Sequence, residues 1–233
     1  MADSSFDEHA EKYDSWFLKN RNVLQSEIDL LSGALTDPGK TLSVGCGSGL
    51  FEKILRETRD IDIHFGIEPA EGMAEIAIKR GMEVRVGSAE ELPYDAASFD
   101  TVLFNGTPSY IDDLDRAFAE ASRVLKPEGH VVVCDVPAES SYGLLYRLAA
   151  KFGSWDDETL KAVAPAVPYP IEFAAAANWR TTQEKLELLA KNGFTVLETT
   201  QTLTLHPKFS DDGVESPVPG HDRGDYVAIR ARK

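Results

Sequence analysis

The chain has little cysteine, little positive charge and no long apolar run, and each shortage excludes something. Only Cys46 and Cys134 occur in 233 residues, both in apolar, strand-like contexts. With no CxxC pair and no even-spaced framework, they read as free thiols in a reducing compartment. The 24 basic residues are outnumbered by 39 acidic ones, leaving a net charge of −15. Affinity for nucleic acid rests on Lys and Arg neutralising phosphates, so neither a nucleic-acid partner nor an anionic membrane surface is expected. The apolar run Val131-Val132-Val133-Cys134 is far too short to span a bilayer. The acidic stretch from Met1 to Glu8 lacks the apolar core of a signal peptide, which points to a cytoplasmic protein. Internal repeats are missing as well. No two of the five histidines stand at metal-ligand spacing on one helix, so no metal site is expected.

What remains is a chain 42% hydrophobic, enough for a real core. Residues 6–17 and 22–35 read as two helices, a cap over residues 1–36 ahead of the main fold. The second rests on the spacing of Val23, Ile28, Leu30, Leu31 and Leu35, with a stop at Asp37-Pro38-Gly39. Strands are expected at 41–44, 61–67, 82–86, 99–105 and 130–136, with helices over 50–59, 70–80 and 112–125 between them. That alternation predicts βαβ units and a mostly parallel sheet. After Asp135 the rhythm breaks. Residues 138–180 hold helical pieces at 142–152 and 156–163 and a proline-rich stretch, Pro165, Pro168 and Pro170. Thr181 with Glu184 fits a capping box for a helix over 181–192, which Gly193 stops. Segments 194–205 and 225–231 read as closing strands. The whole, 1–233, is expected to be one α/β domain with a helical insertion.

Three segments carry chemistry. Val44-Gly45-Cys46-Gly47-Ser48-Gly49 stands directly between a strand and a helix. Glycines let the backbone pass close to a ligand, and the helix start offers unpaired N–H groups. Glu68 ends the next strand, where a carboxylate can accept hydrogen bonds from both ribose hydroxyls of a nucleoside-containing cofactor. Gly87-Ser88-Ala89-Glu90-Glu91-Leu92-Pro93 follows the third strand, and its small residues can lie against a flat purine. Each segment alone is compatible with an ordinary βα turn.

Together they resemble the class I S-adenosylmethionine-dependent methyltransferases, in particular the group called type 11. Phe6-Asp7-Glu8-His9-Ala10-Glu11-Lys12-Tyr13-Asp14-Ser15-Trp16 looks like that group's N-terminal signature. Arg123-Val124-Leu125-Lys126-Pro127-Glu128-Gly129 is similar to its approach to strand five. The resemblance implies a Rossmann-like, doubly wound seven-stranded sheet of order 3-2-1-4-5-7-6 with strand seven antiparallel. It implies S-adenosyl-L-methionine as cofactor and S-adenosyl-L-homocysteine as product. By position, Gly45, Cys46, Gly47 and Gly49 belong to the cofactor turn, with Gly45, Cys46 and Gly47 bordering the methionine part. Glu68 would hold the ribose, while Ser88, Ala89 and Glu90 edge the adenine, with Pro69 and Met73 packed nearby. Asn105 would face the ammonium through its backbone carbonyl, and Tyr13 would close the pocket. Two departures stand out. Ser43 occupies a place before the glycine turn where many members keep an acid, and Ser88 a place where many keep Asp.

The implied reaction is methyl transfer to a small-molecule acceptor at an O, N or C atom, driven mainly by positioning, with no catalytic residue assigned. A non-catalytic S-adenosylmethionine-binding partner protein is the alternative. A nicotinamide-dependent oxidoreductase fits worse: the turn reads GxGxG, followed by Leu50 and Phe51, and no Tyr-x-x-x-Lys pair occurs. The chain is expected to be a monomer or homodimer. Segment 138–180, with Tyr142, Tyr146, Phe152, Trp155, Tyr169, Phe173 and Trp179, is expected to be a lid over a largely apolar acceptor. On that reading, trimming Tyr142 or Tyr146 leaves thermal stability nearly unchanged. His206 and His221 flank the last loop and are weaker candidates for the acceptor pocket.

Overall fold

The apolar runs pair into one eight-stranded sheet in the computed structural model, which describes residues 3–233 and the side chains from Glu11 onward. The strands are β1 (Thr41–Val44), β2 (Phe65–Glu68), β3 (Glu83–Val86), β4 (Phe99–Asn105), β5 (Leu125–Asp135), β6 (Thr195–Thr202), β7 (Val218–Pro219) and β8 (Tyr226–Arg232). Their order is β3-β2-β1-β4-β5-β8-β6-β7. Strands β1 to β5 are parallel, whereas β8 runs antiparallel to both β5 and β6. This is the Rossmann-like order expected, with β8 as the antiparallel seventh strand. The addition is β7, two residues paired to the edge of β6 and too short to leave a periodic signal.

Helices α1 (Asp3–Lys19), α2 (Arg21–Ala34), α3 (Leu50–Arg59), α4 (Glu71–Lys79) and α5 (Leu114–Val124) accompany the first five strands. They are followed by α6 (Ser141–Phe152), α7 (Glu158–Lys161), α8 (Ile171–Ala176) and α9 (Thr182–Lys191). Both faces of the central strands are covered, which is why Val131 to Cys134 form a continuous apolar run rather than an alternating one. Side chains alternate between the faces. Leu103 and Val132 meet α2 and α3 through Ile28, Leu31 and Leu55. Phe104, Val131 and Val133 meet α5 and α9 through Phe118, Ala121 and Leu189. Thr181 and Glu184 form the reciprocal capping box at the start of α9.

Three expectations need correction. Strand β2 begins at Phe65 rather than Ile61, because only its last four residues reach the ladder with β1 and β3. The proline-rich stretch is followed by a short helix, α8, that periodicity did not reveal. Tyr142 and Tyr146 are 2% and 4% exposed and belong to the core packed under α1 and α2. The Tyr142 hydroxyl also bonds Ser210. Aromatic content marked the segment correctly as apolar, but composition does not separate a ring that covers a ligand from one that fills the core. Side chains 6–10 of the N-terminal signature, His9 among them, lie outside the described residues. Among the described residues, no helix is long and apolar enough to cross a membrane.

Candidate functional site

After Val44 the chain turns through Gly45, Gly47 and Gly49, all at positive φ. A side-chain carbon on Gly45 would stand 2.4 Å from Thr107 Cγ2, so only glycine lets this turn pass the loop after β4. A carbon on Gly47 would meet nothing within 4 Å, since that position faces open space. The N–H groups of Gly45 and Cys46 donate to the Ile67 carbonyl at 2.8 and 3.2 Å. Gly47 N–H donates to Glu68 Oε2 at 2.8 Å, and Ala70 N–H donates to Glu68 Oε1 at 3.0 Å. Glu68 is thus a buried carboxylate that ties the glycine turn to the start of α4.

These segments wall a crevice at the carboxyl ends of β1, β2 and β4. Of the positions singled out from sequence, Tyr13, Gly45, Gly47, Glu68, Pro69, Met73, Ser88, Ala89 and Glu90 line it. Three do not. Cys46 turns its sulfur towards Gly66 and Met82, and burial pushes its thiol well up. Gly49 abuts Met82 and Ala77 at the start of α3. Asn105 accepts the Tyr226 hydroxyl at 2.7 Å through Oδ1. Thr107, Tyr110, Ile111 and Asp112 complete the wall, and sequence reasoning missed the last two. Their signal is distant: Arg180, at the end of the insertion, donates to the carbonyls of Pro108, Ile111 and Asp112 at 2.7, 2.8 and 3.0 Å. That clamp gives the loop after β4 its shape.

The turn is also held from the N-terminal helix. Ser48 Oγ donates to Asp14 Oδ1 at 2.5 Å, and Arg80 bridges both, reaching Asp14 Oδ2 at 2.6 Å and the Ser48 carbonyl at 2.8 Å. Below the turn, Ser43 donates to Glu52 Oε1 at 2.6 Å, and both are buried. Burial raises the Glu52 carboxyl above its ordinary range, with the Ser43 bond opposing the shift. A carboxylate from the first turn of α3 thus stands directly against Ser43.

A second space adjoins the crevice and shares Tyr13, Gly106 and Tyr110 with it. Nine of its fourteen lining residues are aromatic, drawn from α1, α3, β8, the loop after β4 and the 138–180 segment. Tyr110 and Tyr169 join their hydroxyls at 3.2 Å, and burial raises both phenols. Two acids, Glu27 and Asp135, reach its wall. Asp135 is paired with Lys185 at 2.8 Å and accepts the Ser109 hydroxyl at 2.8 Å. His206 and His221 line neither space; they bond Lys208 N–H and the Thr199 hydroxyl instead. Among the described residues no three His, Cys, Asp or Glu side chains are grouped to hold a metal ion.

Comparison with known proteins gives a consistent picture. Residues 42–133 match the family described as "Methyltransferase domain". An uncharacterized protein of Methanocaldococcus jannaschii is 31% identical over 230 residues, 98% of each chain. A malonyl-[acyl-carrier protein] O-methyltransferase of Geobacter sulfurreducens is 34% identical over 131 residues, covering 54% of this chain and 49% of that one. Among solved structures, a Thermotoga maritima protein superposes with a TM-score of 0.83 at 33% identity, covering 98% of both chains. It is described as an S-adenosylmethionine-dependent methyltransferase, possible histamine N-methyltransferase.

Proposed function

Because this chain belongs to the class I S-adenosylmethionine-dependent methyltransferases of the type 11 group, we propose that it methylates a small, largely apolar molecule held in the ring-lined space. It is an enzyme, and its cofactor is S-adenosylmethionine. The crevice fits that cofactor on its own geometry. Gly47 lines the crevice with no side chain, and the buried Glu68 carboxylate stands beside it at the end of β2. The cofactor supplies an electrophilic methyl group on a positively charged sulfur.

The chain's own contribution is position and dryness. Glu68 holds the ribose, Ser88, Ala89 and Glu90 edge the adenine, and Pro69 and Met73 pack beside it. Gly45 and Gly47 border the methionine part, and Tyr13 closes the crevice from α1. The rings of the second space exclude water, so that the acceptor meets the methyl group in a fixed pose; such orientation alone can supply several kcal/mol of barrier lowering. No side chain is required as an acid or base for the displacement itself. The 1–233 chain works as one domain, in which segment 138–180 roofs the acceptor through Tyr146, Tyr169 and Trp179. The two buried cysteines and the acidic surface suit a cytoplasmic enzyme of small molecules rather than of nucleic acid.

The observation that carries this reading is the shared wall: Tyr13, Gly106 and Tyr110 belong to both spaces, so an acceptor in the second adjoins a ligand in the first. Calorimetry with S-adenosylhomocysteine and NADH tests the cofactor half. Tighter binding of NADH would overturn it. Release of S-adenosylhomocysteine in the presence of a small-molecule pool tests the acceptor half, and a protein that binds cofactor without ever turning over would refute it.

A further inference from the structure

Glu27 lies in the middle of α2 and is 5% exposed. Every other buried carboxylate around the two spaces has a partner: Glu52 has Ser43, Asp135 has Lys185 and Ser109, and Glu68 has Gly47 and Ala70. Asp225, behind them, accepts the Tyr142 N–H. Glu27 has no hydrogen bond or ion pair among the described residues, and burial is the one influence acting on its carboxyl, which it pushes well up. A buried acid is ordinarily paired or hydrogen-bonded, because desolvating an unpaired one costs several kcal/mol. Glu27 faces instead into the ring-lined space.

The chemistry of that space has one sign. Its lining includes no Lys, Arg or His, and Lys185, which reaches the lining residue Asp135, is engaged in an ion pair with it. The rings add their electron-rich faces, which attract cations within about 6 Å. An anionic guest would meet two carboxylates and no donor of positive charge. A neutral apolar guest would leave Glu27 unpaired. An ammonium group satisfies both the acid and the rings.

We propose that the acceptor is a small organic amine that docks as a cation, its N–H groups donated to the Glu27 carboxylate within the cage of aromatic side chains, and that one of those protons passes to Glu27 before the freed nitrogen lone pair takes the methyl group and S-adenosylhomocysteine leaves. This rests on the methyltransferase reading and names its substrate class. Glu27 is a binding residue for the amine and has no part in holding the cofactor.

The test uses the full chain saturated with S-adenosylhomocysteine, titrated with benzylamine, 2-phenylethylamine and cyclohexylamine and with the matching alcohols. The amines are expected to bind at least tenfold more tightly than their alcohols. Glu27→Gln, of nearly the same shape, is expected to abolish that preference while leaving the S-adenosylhomocysteine dissociation constant within twofold. Equal binding of amines and alcohols, no binding of any of the three amines, or an undiminished preference in Glu27→Gln would each overturn the proposal. Should the variant fold poorly, the wild-type comparison of amine with alcohol still decides. Failure to bind S-adenosylhomocysteine in the first place would sink the methyltransferase reading instead, so the two failures are distinct.

Discussion

Replacing Glu68 by alanine separates two duties that one carboxylate performs. The structure shows the first directly: Oε2 accepts Gly47 N–H and Oε1 accepts Ala70 N–H, at 2.8 and 3.0 Å. The second, holding the ribose, is proposed. Hydrogen bonds to a charged acceptor contribute roughly 1.5–3 kcal/mol each, so loss of the ribose contacts should weaken S-adenosylhomocysteine by about 2–4 kcal/mol, on the order of 30- to 1000-fold. Loss of the backbone contacts leaves two N–H groups without their acceptor, costing about 1–3 kcal/mol of stability apiece where water cannot replace it. For a chain this long each kcal/mol lowers the melting temperature by roughly 2–4 °C. The two duties separate when calorimetry on folded Glu68→Ala is repeated with a 2′-deoxy form of the ligand. Deleting the ligand hydroxyl should cost affinity in the wild type and almost nothing in the variant, since its partner is already gone. An equal cost in both proteins would show that Glu68 only braces the turn.

Three further outcomes are expected. Asp14→Ala removes the carboxylate that Ser48 and Arg80 share, so α1 should become sensitive to limited proteolysis and stability should fall by about 1–3 kcal/mol; unchanged cleavage would contradict the clamp. Tyr142→Ala empties a site only 2% exposed and should cost about 3–5 kcal/mol in chemical denaturation, and a loss below 1 kcal/mol would restore the picture of a detachable lid. Burial raises the Asp225 carboxyl to about 6 from 3.8. The folded state therefore keeps a proton that the unfolded state gives up, so this group's contribution to stability falls as pH rises from about 4 to 6, by roughly 3 kcal/mol. Denaturation of wild type and Asp225→Asn across that window should give a shallower decline in the variant, and parallel curves would exclude Asp225 as the source.

The crevice was legible because its parts are local in sequence. Gly45 to Gly49, Glu68 and Ser88 to Glu90 each follow the end of a strand, and parallel strands bring their carboxyl ends together without any further information. The ring-lined space was not, because it is made by packing. Glu27 sat in a helix whose apolar spacing was read for its core face alone, and nothing local says that this helix brings an acid to Tyr226 and Tyr146. Ser43 looked like a lost acid, yet Glu52 reaches the same spot from one turn into α3. Arg180 read as one of a few basic residues in an insertion, whereas its guanidinium shapes the loop after β4. Sequence spacing finds groups that share a backbone segment; it does not find groups that meet across the fold.

The same distinction explains why one helix serves both spaces. Tyr13 lines the crevice and the ring-lined space, and one residue later Asp14 is locked to Ser48 of the glycine turn and to Arg80 at the end of α4. Asp14 thereby fixes α1 against the cofactor turn, while Trp16 and Phe17 pack on Tyr169 and Phe51 of the acceptor wall. Trp16 Nε1 donates to the Val167 carbonyl at 2.9 Å, which ties the proline-rich stretch of the insertion to the same helix. Glycine turn, ring-lined space and insertion are therefore all joined to one another through contacts of α1.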